Sequence, residues 1–200
     1  MGFLKDVTGI LDRMPEGRQL VLFSATIPRE VMDISWVYQR DPEEITVLPE
    51  KESEPQITQY SIESSGSQKE KDLIRIIQEQ GYKKVIVFCN TKSMTDRLAK
   101  SLTAKGLSVN CLHGDIKQFI RNKVMTAFRK GEFDILVATD VAARGIDVSD
   151  VDAVFNYDAP KDNAYYLHRI GRTGRAKKAG VSYIFISYME KSRLNEIMKY

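Results

Sequence analysis

No stretch of this chain is apolar over the roughly 18 residues a membrane span requires, and Met1–Asp6 has neither the basic start nor the apolar core of a secretory leader. Position 6 is Asp, where an N-myristoylation signal needs Ser or Thr, so Met1-Gly2 is not expected to carry that signal. Cysteine is scarce. Cys89 and Cys111 each sit in a short apolar run, with no CxxC spacing and no Cys/His group to complete a zinc site. No bound metal is expected, and both thiols read as buried and reduced in a cytoplasmic protein. Missing too are internal repeats, low-complexity tracts, a GxxxxGK[ST] loop for cradling phosphates and an acidic run for holding magnesium.

What is present is the composition of a folded chain. The 200 residues are 42% hydrophobic and 28% charged, enough apolar material for one full domain and a remainder, and too little length for two complete lobes. The net charge of +3 is unevenly spread. Between Lys161 and Lys178 six basic residues face Asp162 alone, a local +5, whereas Asp41–Glu54 carries six acids against Lys51, a local −5. A basic focus of this kind points to phosphates, on a nucleotide or along a nucleic-acid backbone; a solvated basic face is the plainer alternative.

Apolar residues from Phe3 to Met14 recur at helical spacing until Pro15-Glu16-Gly17 stops them. Gln19–Ala25 (QLVLFSA) reads as a short strand, and Thr26 with Pro28 as the start of a helix to about Tyr38. Residues 1–40 are therefore expected as an incomplete α-β-α remnant, since one strand leaves both sheet edges unpaired. Residues 41–56, with three prolines and the acidic focus, read as a linker. From 57 to 200, strand-like runs (57–62, 84–90, 108–113, 134–139, 153–157, 181–187) alternate with helix-like ones (69–80, 93–105, 117–130, 162–170, 190–200). Continuous apolar runs such as VIVF and ILVA suit strands covered on both faces, so this part reads as a doubly wound, mainly parallel α/β sheet with helices on both sides. Ligands in such sheets bind beyond the carboxyl ends of the strands.

Two peptides there carry chemistry. Ala138–Asp147 (ATDVAARGID) sets Thr139, Asp140, Arg144 and Asp147 just after a strand, a setting for ribose or phosphate oxygens, or else a polar turn capped by Asp140. His168–Arg175 (HRIGRTGR) repeats arginine every three residues, at Arg169, Arg172 and Arg175. Gly171 and Gly174 read as leaving room for an anion that planar guanidiniums grip in pairs of hydrogen bonds.

With SAT at Ser24–Thr26, VIVFCNT at Val85–Thr91 and HGDIKQFIR at His113–Arg121, these motifs stand in the order and spacing of the DEAD-box RNA helicases of helicase superfamily 2, which the chain resembles over almost its whole length. RecQ-type DNA helicases differ within the last two motifs. The resemblance implies the tail of a first RecA-like lobe (1–40), a linker (41–56) and a RecA-like helicase C-terminal lobe (57–200). The sequence thus reads as a fragment that lacks the P-loop and DEAD run and is inactive alone, while its parent is an RNA-stimulated ATPase. It further implies ATP with Mg2+, the metal held by the missing first lobe, and RNA as partners.

By the same resemblance, Arg172 and Arg175 are arginine fingers for the γ-phosphate, Asp147 binds the ribose and His168 senses the closed state of the two lobes. Phe88, Asn90, Gln118, Arg121, Thr139 and Gly145 are the RNA-binding positions, and Ser24 and Thr26 couple nucleotide state to strand separation. The chain departs from the family's small or polar residues at Lys117 and Phe119-Ile120, though Gln118 and Arg121 keep the interval that puts both on one helical face. The alternatives at this point are a non-catalytic RNA-binding or partner-docking module and a DNA-acting helicase of the same superfamily.

Overall fold

The computed structural model describes residues 3–23, 29–47, 56–143, 151–174 and 179–199, and the chain divides into two compact units, Met1–Pro49 and Glu50–Tyr200. In the first, α1 (Leu4–Leu11) and α2 (Arg29–Tyr38) are helical as their spacing predicts. The strand expected over Gln19–Ala25 does not form in its described part. Residues 19–23 join no ladder, and Phe23 is 94% exposed. An extended segment becomes a strand through neighbours that bond its edges and cover its faces. Every described strand of the chain lies between residues 57 and 186, so residues 19–23 have none.

The second unit alternates β1 (Ile57–Glu63), α3 (Ser67–Gln80), β2 (Val85–Phe88), α4 (Lys92–Ala104), β3 (Val109–Leu112), α5 (Gln118–Arg129), β4 (Ile135–Ala138), α6 (Asp140–Ala143), β5 (Ala153–Asn156), α7 (Asn163–Ile170), β6 (Gly180–Ile186) and α8 (Lys191–Met198). The six strands form one all-parallel sheet in the order β1-β6-β5-β2-β4-β3. Its central strands are buried along their whole length, as VIVF and ILVA require. Alternate residues feed opposite cores. Val85 and Val87 pack with Leu73, Leu98 and Leu102 under α3 and α4, while Ile86 and Phe88 pack with Val124 and Phe128 of α5. Caps set the helix ends: Thr91 Oγ1 accepts from the Met94 amide at 3.2 Å and Asp162 Oδ1 from the Ala164 amide at 2.8 Å. Strand order reverses about β2, which lies between β4 and β5, and that is where the polar residues gather.

Candidate functional site

Beyond the carboxyl ends of β2, β4 and β5, three stretches of chain converge on the guanidinium of Arg169 in α7, which is 1% exposed. Its Nε and Nη2 donate to the two carboxylate oxygens of Asp140 at 2.6 and 2.7 Å. Nη2 also donates to Asn90 Oδ1 at 2.9 Å, and Nη1 to the Asp158 carbonyl at 2.8 Å and Asn156 Oδ1 at 3.2 Å. These five bonds match the five N–H donors of the group, and its carbon stands 5.2 Å from the centre of the Phe88 ring. Burying a charge costs several kcal/mol unless it is fully paired, and here it is. Arg169 is therefore an internal strut, which corrects the expectation of a phosphate-gripping arginine at that position. It also removes one charge from the basic focus offered to solvent.

The strut fixes its neighbours. Asn90 donates through its backbone N–H to Asp158 Oδ2 at 2.9 Å and through Nδ2 to the Ala159 carbonyl at 2.8 Å, so its side chain is committed at both ends. Phe88 is 1% exposed in the core below, and it offers no side-chain surface to RNA. Thr139 is buried, its amide donating to the Leu112 carbonyl at 3.1 Å. At the start of α5, Gln118 is exposed and donates to Asn122 Oδ1 at 3.0 Å, while Arg121 Nη2 donates to the Ala142 carbonyl and ties α5 to α6.

At the same end of α7, His168 is exposed and Arg172 half-buried, with Arg172 Nε donating to the His168 carbonyl at 3.3 Å. The turn that follows is anchored by Thr173 Oγ1, which donates to the Val151 carbonyl at 2.6 Å. Gly174 has φ +70°, and a side-chain carbon there would stand 2.7 Å from Ile57 Cγ1; one at Gly180 would stand 2.7 Å from Gly174 Cα. The glycine at 174 thus serves the packing of this turn on β1 and β6 rather than space for an anion. Ser24, Thr26, Gly145, Asp147 and Arg175 lie outside the described residues.

Residues 68–177 match the family described as the helicase conserved C-terminal domain, and that span is more than half of the chain. The chain belongs to that family. This helicase C-terminal domain is 43% identical over 199 residues to the ATP-dependent RNA helicase CshA of Limosilactobacillus reuteri, covering 100% of the chain and 40% of the relative. It is 42% identical to the DEAD-box ATP-dependent RNA helicase CshA of Geobacillus kaustophilus, covering 98% and 42%. The chain thus spans about two fifths of the length of these curated relatives. Among solved structures, it matches S. cerevisiae Dbp5 bound to RNA and ADP BeF3 with a TM-score of 0.84 at 31% identity, over 98% of this chain and 52% of that one. A DEAD box protein from Methanococcus jannaschii gives 0.69 at 37%, over 100% and 53%. The RecA-like fold read from the sequence is the fold of these proteins.

Two further features of the domain bear on ligands. No helix among the described residues is long and apolar enough to cross a membrane. Among the same residues, the group of side chains able to share a metal ion is Asp96, Cys111 and His113. The sequence reading missed it, because Asp96 meets the other two only through the packing of α4 on β3. An imidazole and a thiol do not suit magnesium, which takes oxygen ligands, so no magnesium role falls to this group.

Proposed function

We propose that this chain is the C-terminal part of an ATP-dependent RNA helicase, which binds the sugar-phosphate backbone of single-stranded RNA and supplies arginine fingers to ATP held by a first lobe. In this reading, Asn90, Gln118, Arg121, Thr139 and Gly145 line the RNA path, with Asn90 and Thr139 shaping it rather than donating to it, because their backbone N–H groups and the Asn90 side chain are already committed within the protein. Phe88 drops out as a contact and serves as the floor beneath Arg169. Asp147 takes the ribose, His168 reports closure, and Ser24 and Thr26 on the first-lobe tail (1–40) couple across the linker (41–56). Magnesium would be held by carboxylates of the first lobe. A cytoplasmic setting belongs to the same reading.

The observation that carries it is the division of labour on α7. Arg169 spends all five donors holding the carboxyl edge of the sheet together. That fixes the helix from whose end Arg172, one turn on, projects half-buried. Fixed positive charge on a rigid support is what phosphoryl transfer gains from, as charge shifts toward the leaving oxygens. Backbone contacts hold a strand without reading bases, so little sequence preference is expected.

The test is RNA-stimulated phosphate release by the full-length protein. Arg172→Lys keeps the charge and loses the planar fork, and turnover is expected to fall by on the order of a thousandfold with an unchanged circular dichroism spectrum. Full turnover in the lysine variant removes the finger assignment.

A further inference from the structure

We infer that Asp96, Cys111 and His113 form a binding site for a divalent transition-metal ion, with Zn2+ the expected occupant. Cys111 and His113 are two residues apart at the end of β3, an interval that turns both side chains to one face, while Leu112 between them is fully buried on the other. Asp96 comes down onto that face from α4. His113 Nε2 lies 3.0 Å from Asp96 Oδ1 and Cys111 Sγ 3.6 Å from the same oxygen, with all three donor atoms within 4.8 Å of one another.

Zinc bonds of about 2.0–2.3 Å put the ligand atoms of a tetrahedral site roughly 3.3–3.8 Å apart. The Asp96–Cys111 edge already has that length, the Asp96–His113 edge at 3.0 Å needs only to open slightly, and the Cys111–His113 edge, within 4.8 Å, closes by side-chain rotation. One nitrogen, one sulfur and one oxygen donor select zinc over calcium or magnesium, which take oxygen alone. Side-chain exposure is 43% for Asp96 and 11% for His113, so the site has an open side for entry of the ion and for a water as fourth ligand.

The exchange balances simply. The ion replaces the thiol proton of Cys111, which passes to solvent. It also replaces the His113 Nε2–H donated to Asp96, the imidazole taking up a proton at Nδ1 and giving up its 3.4 Å contact with the Asp115 amide. Bound metal would clip α4 to β3 just before Gly114-Asp115, the turn that leads into α5. The inference stands on these side chains alone and does not depend on the function proposed above.

The test is a Co2+ titration of the untagged 200-residue chain, followed by displacement with Zn2+. A near-ultraviolet thiolate-to-cobalt band is expected, bleached by Zn2+ and absent in Cys111→Ser; Asp96→Asn and His113→Gln should each weaken Zn2+ binding at least about tenfold. X-ray absorption on the zinc-loaded native chain supplies a check independent of any variant, with one sulfur expected at about 2.3 Å. A shell of oxygen and nitrogen alone, a cobalt band that survives Cys111→Ser, or no binding at micromolar metal overturns the site.

Discussion

The first unit has apolar residues as freely as the second but very little use for them. Among the described residues of Met1–Pro49, Leu11 is the one buried hydrophobic side chain, while Val21, Leu22, Phe23, Trp36, Val37, Ile45 and Val47 stand in solvent. In Glu50–Tyr200, even strands of four residues are buried residue by residue, because each has a parallel neighbour and a helix above and below. QLVLFSA and VIVF read alike as strings. They differ in what lies beside them, so hydrophobicity nominates a strand and the ladder decides it.

That contrast breaks most readily at the strut. Replacing Arg169 by Met leaves Asp140 without its charge partner and strands the polar groups of Asn90 and Asn156, and it should lower the stability of the second unit by about 3–5 kcal/mol. Phe23→Ser in the first unit, at a position 94% exposed, should change stability by less than about 0.5 kcal/mol. Urea denaturation measures both. Amide exchange should quicken in β2, β4 and β5 of the Arg169 variant and stay unchanged in α2; acceleration in both units alike would mean that they unfold as one.

A finer contrast lies within the second unit. Gly174 and Gly81 both have positive φ, +70° and +67°, but only Gly174 has a neighbour where a side chain would go. Gly81→Ala should cost about 1 kcal/mol for the left-handed backbone alone, and Gly174→Ala about 2–4 kcal/mol, since the added carbon also meets Ile57. Equal losses in thermal unfolding would remove the packing role given to Gly174.

Much of this was legible beforehand. The strands of the second unit fall within two residues of the apolar runs, and its main helices nearly as close, since a strand covered on both faces has to be apolar throughout and Thr91 and Asp162 mark where helices start. Arg169 was not legible as a strut. Its acceptors sit at positions 90, 140, 156 and 158, and only the strand order brings them together. The reading of Arg169 as a phosphate-gripping arginine failed for that reason, as spacing along the chain does not report which side chain is buried. Cys111 and His113 could have been paired from their interval on a strand; Asp96 could not. The residues placed on RNA and nucleotide came from resemblance, and among the described ones geometry reassigns Phe88.

The smallest effect separates the two units by pH. In the second, Glu70, Asp72, Asp115 and Glu190 are held below their ordinary range, Asp115 by its exposed hydrogen bond from Lys92. Burial pushes Glu70 up, but hydrogen bonds from Lys105 at 2.5 Å and Ser101 at 2.6 Å outweigh it. The Ser64 hydroxyl lowers Asp72, and the Ser187 hydroxyl and amide overcome the burial of Glu190. Such groups bind protons less tightly folded than unfolded, so their contribution is complete above the unfolded values of about 4 and is lost as the pH falls through the lower folded ones. In the first unit the sign reverses. Tyr38 donates to Asp12 at 2.7 Å, and that bond, followed by burial, raises its phenol above the ordinary range. Its contribution is complete below about pH 10 and fades as the pH rises through the folded value. Acid should therefore loosen the second unit and spare the first, whereas alkali should loosen both, since burial also raises the phenols of Tyr157, Tyr166 and Tyr183 in the second; methyl resonances of Ile77 and Ile10 can follow the units separately, and Glu70→Gln should flatten part of the acid arm by about 0.5 kcal/mol, the scale of a partly exposed pair. Coincident loss of both resonances in acid would mean that the difference in burial between the units has no counterpart in their titration.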